Sequence, residues 1–270
     1  MNPHASTVPT INGIPLSPAG LGTVKIGRNR GVKYPSAFAL PDDKAVRDLL
    51  ALAHDLGIRL LDTAPAYGSS ETRLGQLLPA RNDWVICTKV GESFKAGQSH
   101  FDFSAAAVRD SVHRSLKRLR RERLDIVLIH SNGDDTGILA NGEAVETLDK
   151  LKQAGLIGAI GLSGKTPAGG EAALADCGMD IAMITQNADY RDEQNVIDCA
   201  RRLGKGILVK KAFASGHLLQ QGESAIERNL AAIFTGNRDL PLSVILGTIN
   251  PAHLRQNMDI IARLTAEETA

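Results

Sequence analysis

Short apolar runs recur along the chain at Ile58–Leu61, Trp84–Cys87, Ile126–Ile129, Ile157–Leu162, Ile181–Ile184, Ile207–Val209 and Val244–Leu246. Runs without polar alternation predict strands covered on both faces, as in a parallel sheet. Leu16–Gly22 supplies one further strand. Between the runs the period changes to that of a helix. Val46, Leu49, Leu50, Ala53 and Leu56 mark one apolar face that stops at Gly57. Val108, Val112, Leu116 and Leu119 mark another, opened by Ser104 as N-cap, and Leu148 and Leu151 precede a third stop at Gly155. Eight strands thus alternate with roughly eight helices, which fits an open doubly wound sheet or a closed barrel. The count of eight and the absence of a linker favour an α/β fold of the (β/α)8 TIM-barrel type, with residues 1–270 as a single domain. Before the first strand, INGIPLS reads as a β-hairpin turning at Asn12-Gly13, a cap on the N-terminal face.

Composition narrows the function. Lys and Arg total 31 against 30 Asp and Glu, a net charge of +1. That balance argues against a chain built to hold nucleic acid or an anionic membrane. The basic run Lys117, Arg118, Arg120, Arg121 and Arg123 has no interleaved aromatic residue and reads as a solvated helix end. Cys87, Cys177 and Cys199 are scattered, without C-x-x-C spacing, as expected in a reducing compartment. With no secretory leader and no apolar stretch of spanning length, a cytoplasmic location is expected.

In a (β/α)8 barrel the chemistry sits at the C-terminal rim, so the residues that close each apolar run are the ones to read. The second strand exits into Asp62 and, five residues on, Tyr67; the third into Thr88-Lys89; the fourth into His130. Singly, each has an ordinary explanation as a turn residue, a packed phenol, a solvated lysine or a satisfied core histidine. Together they form a coherent acid–base set. A tyrosine titrates near 10, and a neighbouring ammonium lowers that value and makes Tyr67 a usable proton donor. Lys89 can supply the charge with Asp62 as counter-ion, and His130 can fix a carbonyl's approach. Such a group suits carbonyl reduction. It offers no nucleophile–base pair for hydrolysis and no metal cage. Two other motifs fail on inspection. Ala159–Thr166 (AIGLSGKT) is one glycine short of a phosphate loop and runs into Pro167, and Gly161-Leu-Ser163 has Lys165 where a nucleophile elbow needs glycine.

The segments LLDTAPAYGSSETRLGQLL (60–78), VICTKV around Lys89, LDIVLIHS ending in the His130 region, KQAGLIGAIGLSG (152–164), ITQNADY around Gln186 and VILGTINPAHLRQNM resemble the aldo-keto reductase superfamily over essentially the whole chain. The resemblance implies a (β/α)8 barrel and a catalytic Asp62–Tyr67–Lys89–His130 tetrad. It also implies reversible reduction of a small-molecule aldehyde or ketone, with hydride from nicotinamide C4 and the proton from Tyr67. NADPH is the implied cofactor, with NADH as the alternative, held without a Rossmann motif. By the same resemblance Ser163 and Gln186 hold the carboxamide, and Thr23 and Asp62 belong to the cofactor site. Ala214, Ser215 and Gly216 line the diphosphate. Gly247, Thr248, His253, Gln256 and Asn257 meet the adenosine end, helped by the N-terminus of the last helix.

Several positions depart from the family pattern. Gly164 replaces an asparagine beside the serine, and Lys210 replaces the aromatic residue that stacks on the nicotinamide. A cation at Lys210 is expected to favour the reduced cofactor over the cationic oxidised one. Gly247 and His253 stand where phosphate-binding Lys and Arg are common. The chain ends soon after the last helix, so an open pocket is expected, and Gly91–Phe103 is long enough to line it. Two alternatives remain: a non-catalytic NADPH-binding redox sensor, and a Schiff-base aldolase using Lys89, Lys210 or Lys211. A monomer or weak homo-oligomer is expected.

Overall fold

The computed structural model describes residues 8–32, 37–79, 83–213 and 223–266. Eight parallel strands close into a barrel in chain order: β3 (Ala19–Gly22), β4 (Leu60–Asp62), β5 (Val85–Val90), β8 (Leu124–His130), β9 (Ile157–Ser163), β10 (Ile181–Thr185), β11 (Gly206–Lys210) and β12 (Leu242–Leu246), which pairs back to β3. Around it lie α1 (Val24–Gly27), α2 (Asp43–Asp55), α3 (Ser70–Leu77), α4 (Ala105–Leu119), α5 (Asp135–Asn141), α6 (Glu143–Gln153), α7 (Pro167–Ala175), α8 (Gln194–Leu203), α9 (Glu223–Phe234) and α10 (Pro251–Thr265). The architecture is the expected TIM barrel. None of the described helices is long and apolar enough to cross a membrane.

The apolar runs are continuous because alternate residues serve two cores. Leu60, Cys87, Ile126, Leu128, Ile181 and Leu208 pack inside the barrel, while Leu61, Ile86, Val127, Ile129, Ala182 and Val209 pack under the helices. Ile11, Ile14 and Leu16 join the inner group. They come from the hairpin β1 (Thr10–Ile11) and β2 (Ile14–Pro15), whose turn places Asn12 at φ 51° and Gly13 at φ 76°. The hairpin therefore closes the N-terminal end with apolar side chains.

Some element boundaries differ from the sequence reading. The first strand begins at Ala19, since Pro18 has no N–H to pair and the Ser17 hydroxyl donates to the Ala19 carbonyl at 2.7 Å. The third strand runs on through Lys89, because Thr88 and Lys89 both find buried acids: the Thr88 hydroxyl donates to Glu71 at 2.7 Å. Residues 91–103 hold a second hairpin, β6 (Glu92–Lys95) and β7 (Gln98–Phe101), turning at Ala96 and Gly97 with φ of 51° and 84°. Ser104 does cap α4, accepting from the Ala107 amide. The basic run after it is less solvated than expected. Arg118 pairs with the buried Glu71 at 3.2 Å, and Arg121 donates to the Trp84 carbonyl.

The segment that imitates a phosphate loop carries its own anion. Asp135, 1 % exposed, accepts from the Lys165 amide, the Thr166 amide and the Thr166 hydroxyl at 2.7–2.8 Å, all through Oδ2. Replacing Asp135 with Ala strands these donors in a buried corner. Loss of at least about 2 kcal/mol is expected in a reversible urea titration. An unchanged midpoint would show that water substitutes for the carboxylate.

Candidate active site

Three of the four rim residues, Asp62, Tyr67 and His130, line one cavity of about 360 Å³ at the C-terminal end of the barrel, and Lys89 is buried behind them against Asp62 and the Tyr67 ring. Asp62 closes β4 and His130 closes β8, while Tyr67 ends a short 3-10 turn (Pro65–Tyr67). That turn is fixed by a close backbone approach. A Cβ on Gly27 would overlap the Tyr67 carbonyl and the Ser70 amide, and Gly68, at φ 64°, faces the Gly27 carbonyl in the same way. Below it, the Thr23 amide and hydroxyl both donate to the Asp62 carbonyl, at 2.9 and 2.8 Å, holding the strand end.

Lys89 is 1 % exposed. Its Nζ donates to Asp62 Oδ1 at 2.5 Å and to the Thr63 carbonyl at 2.9 Å, and lies 4.8 Å from the Tyr67 ring centroid. Burial opposes the charged amine, but the adjoining Asp62 carboxylate wins and raises the Lys89 pKa above its ordinary value. A permanent cation therefore sits beneath the phenol. His130 meets Tyr67 edge-on, with centroids 6.3 Å apart and planes at 85°. On its other side, His130 Nδ1 is 2.7 Å from Glu92 Oε2, close enough for an ion pair but not aligned as a hydrogen bond.

The remaining expected residues divide into three groups. Thr23, Asp62, Ser163, Lys210, Gly247, Thr248, His253 and Asn257 line the cavity. Gln186 is buried but not on its wall, and Gln256 lines a separate surface depression with Arg255 and Asp259. Ala214, Ser215 and Gly216 lie outside the described residues. The start of α10 is also partly committed: the Asn250 side chain accepts from the Ala252 and His253 amides at 2.9 and 3.4 Å. Those donors are less available to an incoming phosphate than the sequence suggested.

Two observations bear on a nicotinamide cofactor. Asn257 Oδ1, on the cavity wall, is a buried oxygen with no hydrogen-bond partner among the described residues, the condition of an acceptor awaiting an amide or amino donor; Gln186 Oε1 is likewise unpartnered but lies off that wall. The residues present thus fit such a group. Lys210 adds a feature of this chain. Its Nζ donates to Ser163 Oγ at 3.0 Å and to the Gly164 carbonyl at 2.5 Å. Burial first, then Lys211 and Lys89, push its pKa down to about 7, against the pull of Glu193 and Asp135. A side chain at residue 164 would crowd Asp135, which lies 3.0 Å from where its Cβ would be.

Sequence reasoning passed over Glu92 and Arg28, both on the cavity wall. Arg28 donates to the Ala66 and Gly31 carbonyls at 2.9 and 2.6 Å and covers the Phe94 ring at 3.4 Å. Neither carries a motif; an acid two residues past a rim strand, after Gly91, is the signal for Glu92.

Comparison with known proteins places this barrel in a class. The model of the aldo/keto reductase family matches residues 19–232, and the chain belongs to that family, a family of oxidoreductases that use nicotinamide cofactors. It is similar to a protein from Pseudomonas aeruginosa described as an aldo-keto reductase, with 49% identity and a TM-score of 0.84 over 94% of each chain. It is 27% identical to D-threo-aldose 1-dehydrogenase from Pseudomonas sp, over 83% of this chain and 85% of the relative. The NADH-specific methylglyoxal reductase of Escherichia coli is 34% identical over 55% of this chain and 48% of its own length.

Proposed function

We propose that this protein reduces a small aldehyde or ketone, such as an aldose or an α-oxoaldehyde, to the alcohol with NADPH. The observation that carries the reading is the buried Asp62–Lys89 pair beneath Tyr67, with His130 edge-on to the same ring in one cavity. When bound, the nicotinamide supplies a hydride to the carbonyl carbon. Tyr67 delivers a proton to the carbonyl oxygen and regains one from solvent. Lys89, kept charged by Asp62, stabilises the phenolate between those events. His130 orients the carbonyl oxygen beside Tyr67.

Ser163 would hold the carboxamide from the cavity wall that Thr23 and Asp62 also line, with Gln186, buried off that wall, as its second partner. Gly247, Thr248, His253, Gln256 and Asn257 would meet the adenosine end, and Ala214, Ser215 and Gly216 the diphosphate. NADPH over NADH rests on His253 and Thr248 as donors to a 2′-phosphate. The same reading takes residues 1–270 as one cytoplasmic domain, a monomer or weak homo-oligomer with no nucleic-acid or membrane partner. The test is a stopped assay of NADPH and NADH oxidation across aldehydes, ketones and aldoses. Tight cofactor binding without turnover on any of them would replace the reductase by a redox sensor. The aldolase alternative finds its candidate in Lys210, whose lowered pKa supplies neutral amine, yet its Nζ already donates to Ser163 and Gly164. Borohydride should trap no carbonyl substrate on the protein.

Lys210 also gives a pH-dependent expectation. Below about pH 7 it is charged and repels the cationic ring of the oxidised cofactor; above that pH the repulsion fades. The affinity for NADP⁺ relative to NADPH should therefore rise as pH passes upward through 7. In Lys210→Met the ratio should be flat, read by calorimetry. A wild-type ratio that ignores pH would remove Lys210 from cofactor discrimination.

A further inference from the structure

We propose that Glu92 is a positioning residue for His130, holding the imidazole by Nδ1 and so deciding what Nε2 offers the substrate oxygen. The inference rests on the reductase reading for its catalytic meaning, though the pair itself stands on geometry. Glu92 opens β6 directly after Gly91, whose φ of 94° turns the chain back from β5. Pairing of Glu92 with Phe101 across the hairpin fixes its backbone. One carboxylate oxygen, Oε1, accepts from the Ser99 hydroxyl at 2.5 Å, which leaves Oε2 2.7 Å from His130 Nδ1. Glu92, His130, Tyr67 and Arg28 all face the same cavity. Burial works against the Glu92 carboxylate, yet His130, Ser99 and Arg28 hold its pKa down to about 2, so it is ionised at any working pH. The Nδ1 contact is close but not aligned. Hydrogen bonds at such sites commonly tighten only when substrate closes the pocket.

A neutral imidazole carries one N–H, and the nitrogen that bears it is set by what the other side of the ring meets. Beside a carboxylate the hydrogen belongs on Nδ1, and Nε2 then presents a lone pair. In that state His130 accepts from an alcohol. Once protonated, the ring keeps Nδ1–H toward Glu92 and gains an Nε2–H that donates to a carbonyl. Carbonyl reduction thus favours the charged ring and alcohol oxidation the neutral one. Burial lowers the His130 pKa below its ordinary 6.5, Glu92 opposes that, and Lys89 and Lys210 add to the lowering. Among the described residues, the titratable phenol of Tyr67 also meets the ring. Without Glu92 the charged form becomes scarcer, and the tautomer is no longer fixed.

The deciding measurement is ¹⁵N NMR of the His130 ring in the cofactor-free protein, assigned by comparison with His130→Gln. Wild type should show the Nδ1–H tautomer at alkaline pH. Glu92→Gln, close to isosteric, should move the titration midpoint down by about half a unit or more. In parallel, kcat/KM for carbonyl reduction at pH 7 should fall about tenfold, NADPH affinity by fluorescence should stay within about twofold, and Glu92→Asp should recover part of the loss. An Nε2–H tautomer in wild type, or one shared midpoint and pH profile for wild type and Glu92→Gln, would overturn the proposal. A midpoint that moves in a protein unable to reduce any carbonyl would keep the pair and discard the reductase reading instead.

Discussion

Tyr67→Phe is expected to lower carbonyl turnover by at least about a hundredfold while leaving NADPH affinity within about twofold. The substitution removes one oxygen and keeps the ring, so the edge-on contact with His130 and the cation beneath the ring both survive. Folding should be little affected, because backbone contacts with Gly27 hold the turn that carries Tyr67. Loss of kcat without loss of cofactor affinity is the signature of an interaction made only in the transition state. Steady-state kinetics with fluorescence titration of NADPH separates the two quantities. A variant with wild-type kcat would assign the proton donor elsewhere, and His130 would be the next candidate.

Lys89→Met should cost both rate and stability, and the two losses are separable. Removing one partner of a buried pair leaves Asp62 as an uncompensated charge that is 4 % exposed. The expected penalty is about 3–5 kcal/mol, measured by denaturant unfolding. Turnover should fall by a factor on the order of that for Tyr67→Phe, since the phenolate loses its cation. Adding Asp62→Asn to Lys89→Met should restore much of the stability and none of the rate. Recovery of rate in the double variant would mean that the pair only supports the fold. The sign of the pH dependence follows from the raised Lys89 pKa. The contribution of the Lys89 titration is complete below the unfolded lysine value of 10.5 and is lost as pH climbs through the higher folded value. Acid-side loss of activity must therefore come from groups other than Lys89.

Barrel topology was legible because each strand is apolar on two faces, a pattern that partially buried strands do not produce. The clustering of polar residues at the rim was legible for a related reason: polar residues interrupting such runs, as Asp62 and His130 do, have few structural excuses. The apolar run places Lys89 just past its strand, whereas β5 extends through Val90. The Lys89 side chain remains within β5 because Asp62 neutralises it there, and that pairing spans 27 residues of sequence. The hairpin at 92–101 was hidden because its turn uses Ala96 at a positive φ where Asn or Gly would have announced it. Glu92 was hidden with it, since the reach of its carboxylate to His130 depends on a hairpin that sequence pattern did not resolve. Gln256 shows the opposite error. Neighbouring positions on α10 point different ways, so Asn257 faces the cavity and Gln256 does not.

The floor of this barrel is a plug of Ile11, Ile14 and Leu16 set against strand residues, while the groups with chemical duties stand at the far end. The apolar packing of the N-terminal end and the lining of the rim cavity are therefore made by different residues. Repacking the plug should leave turnover alone, and grafting rim segments from a homologue should change substrate preference without disturbing the plug. A directed-evolution effort could treat the two ends as independent libraries and combine their winners.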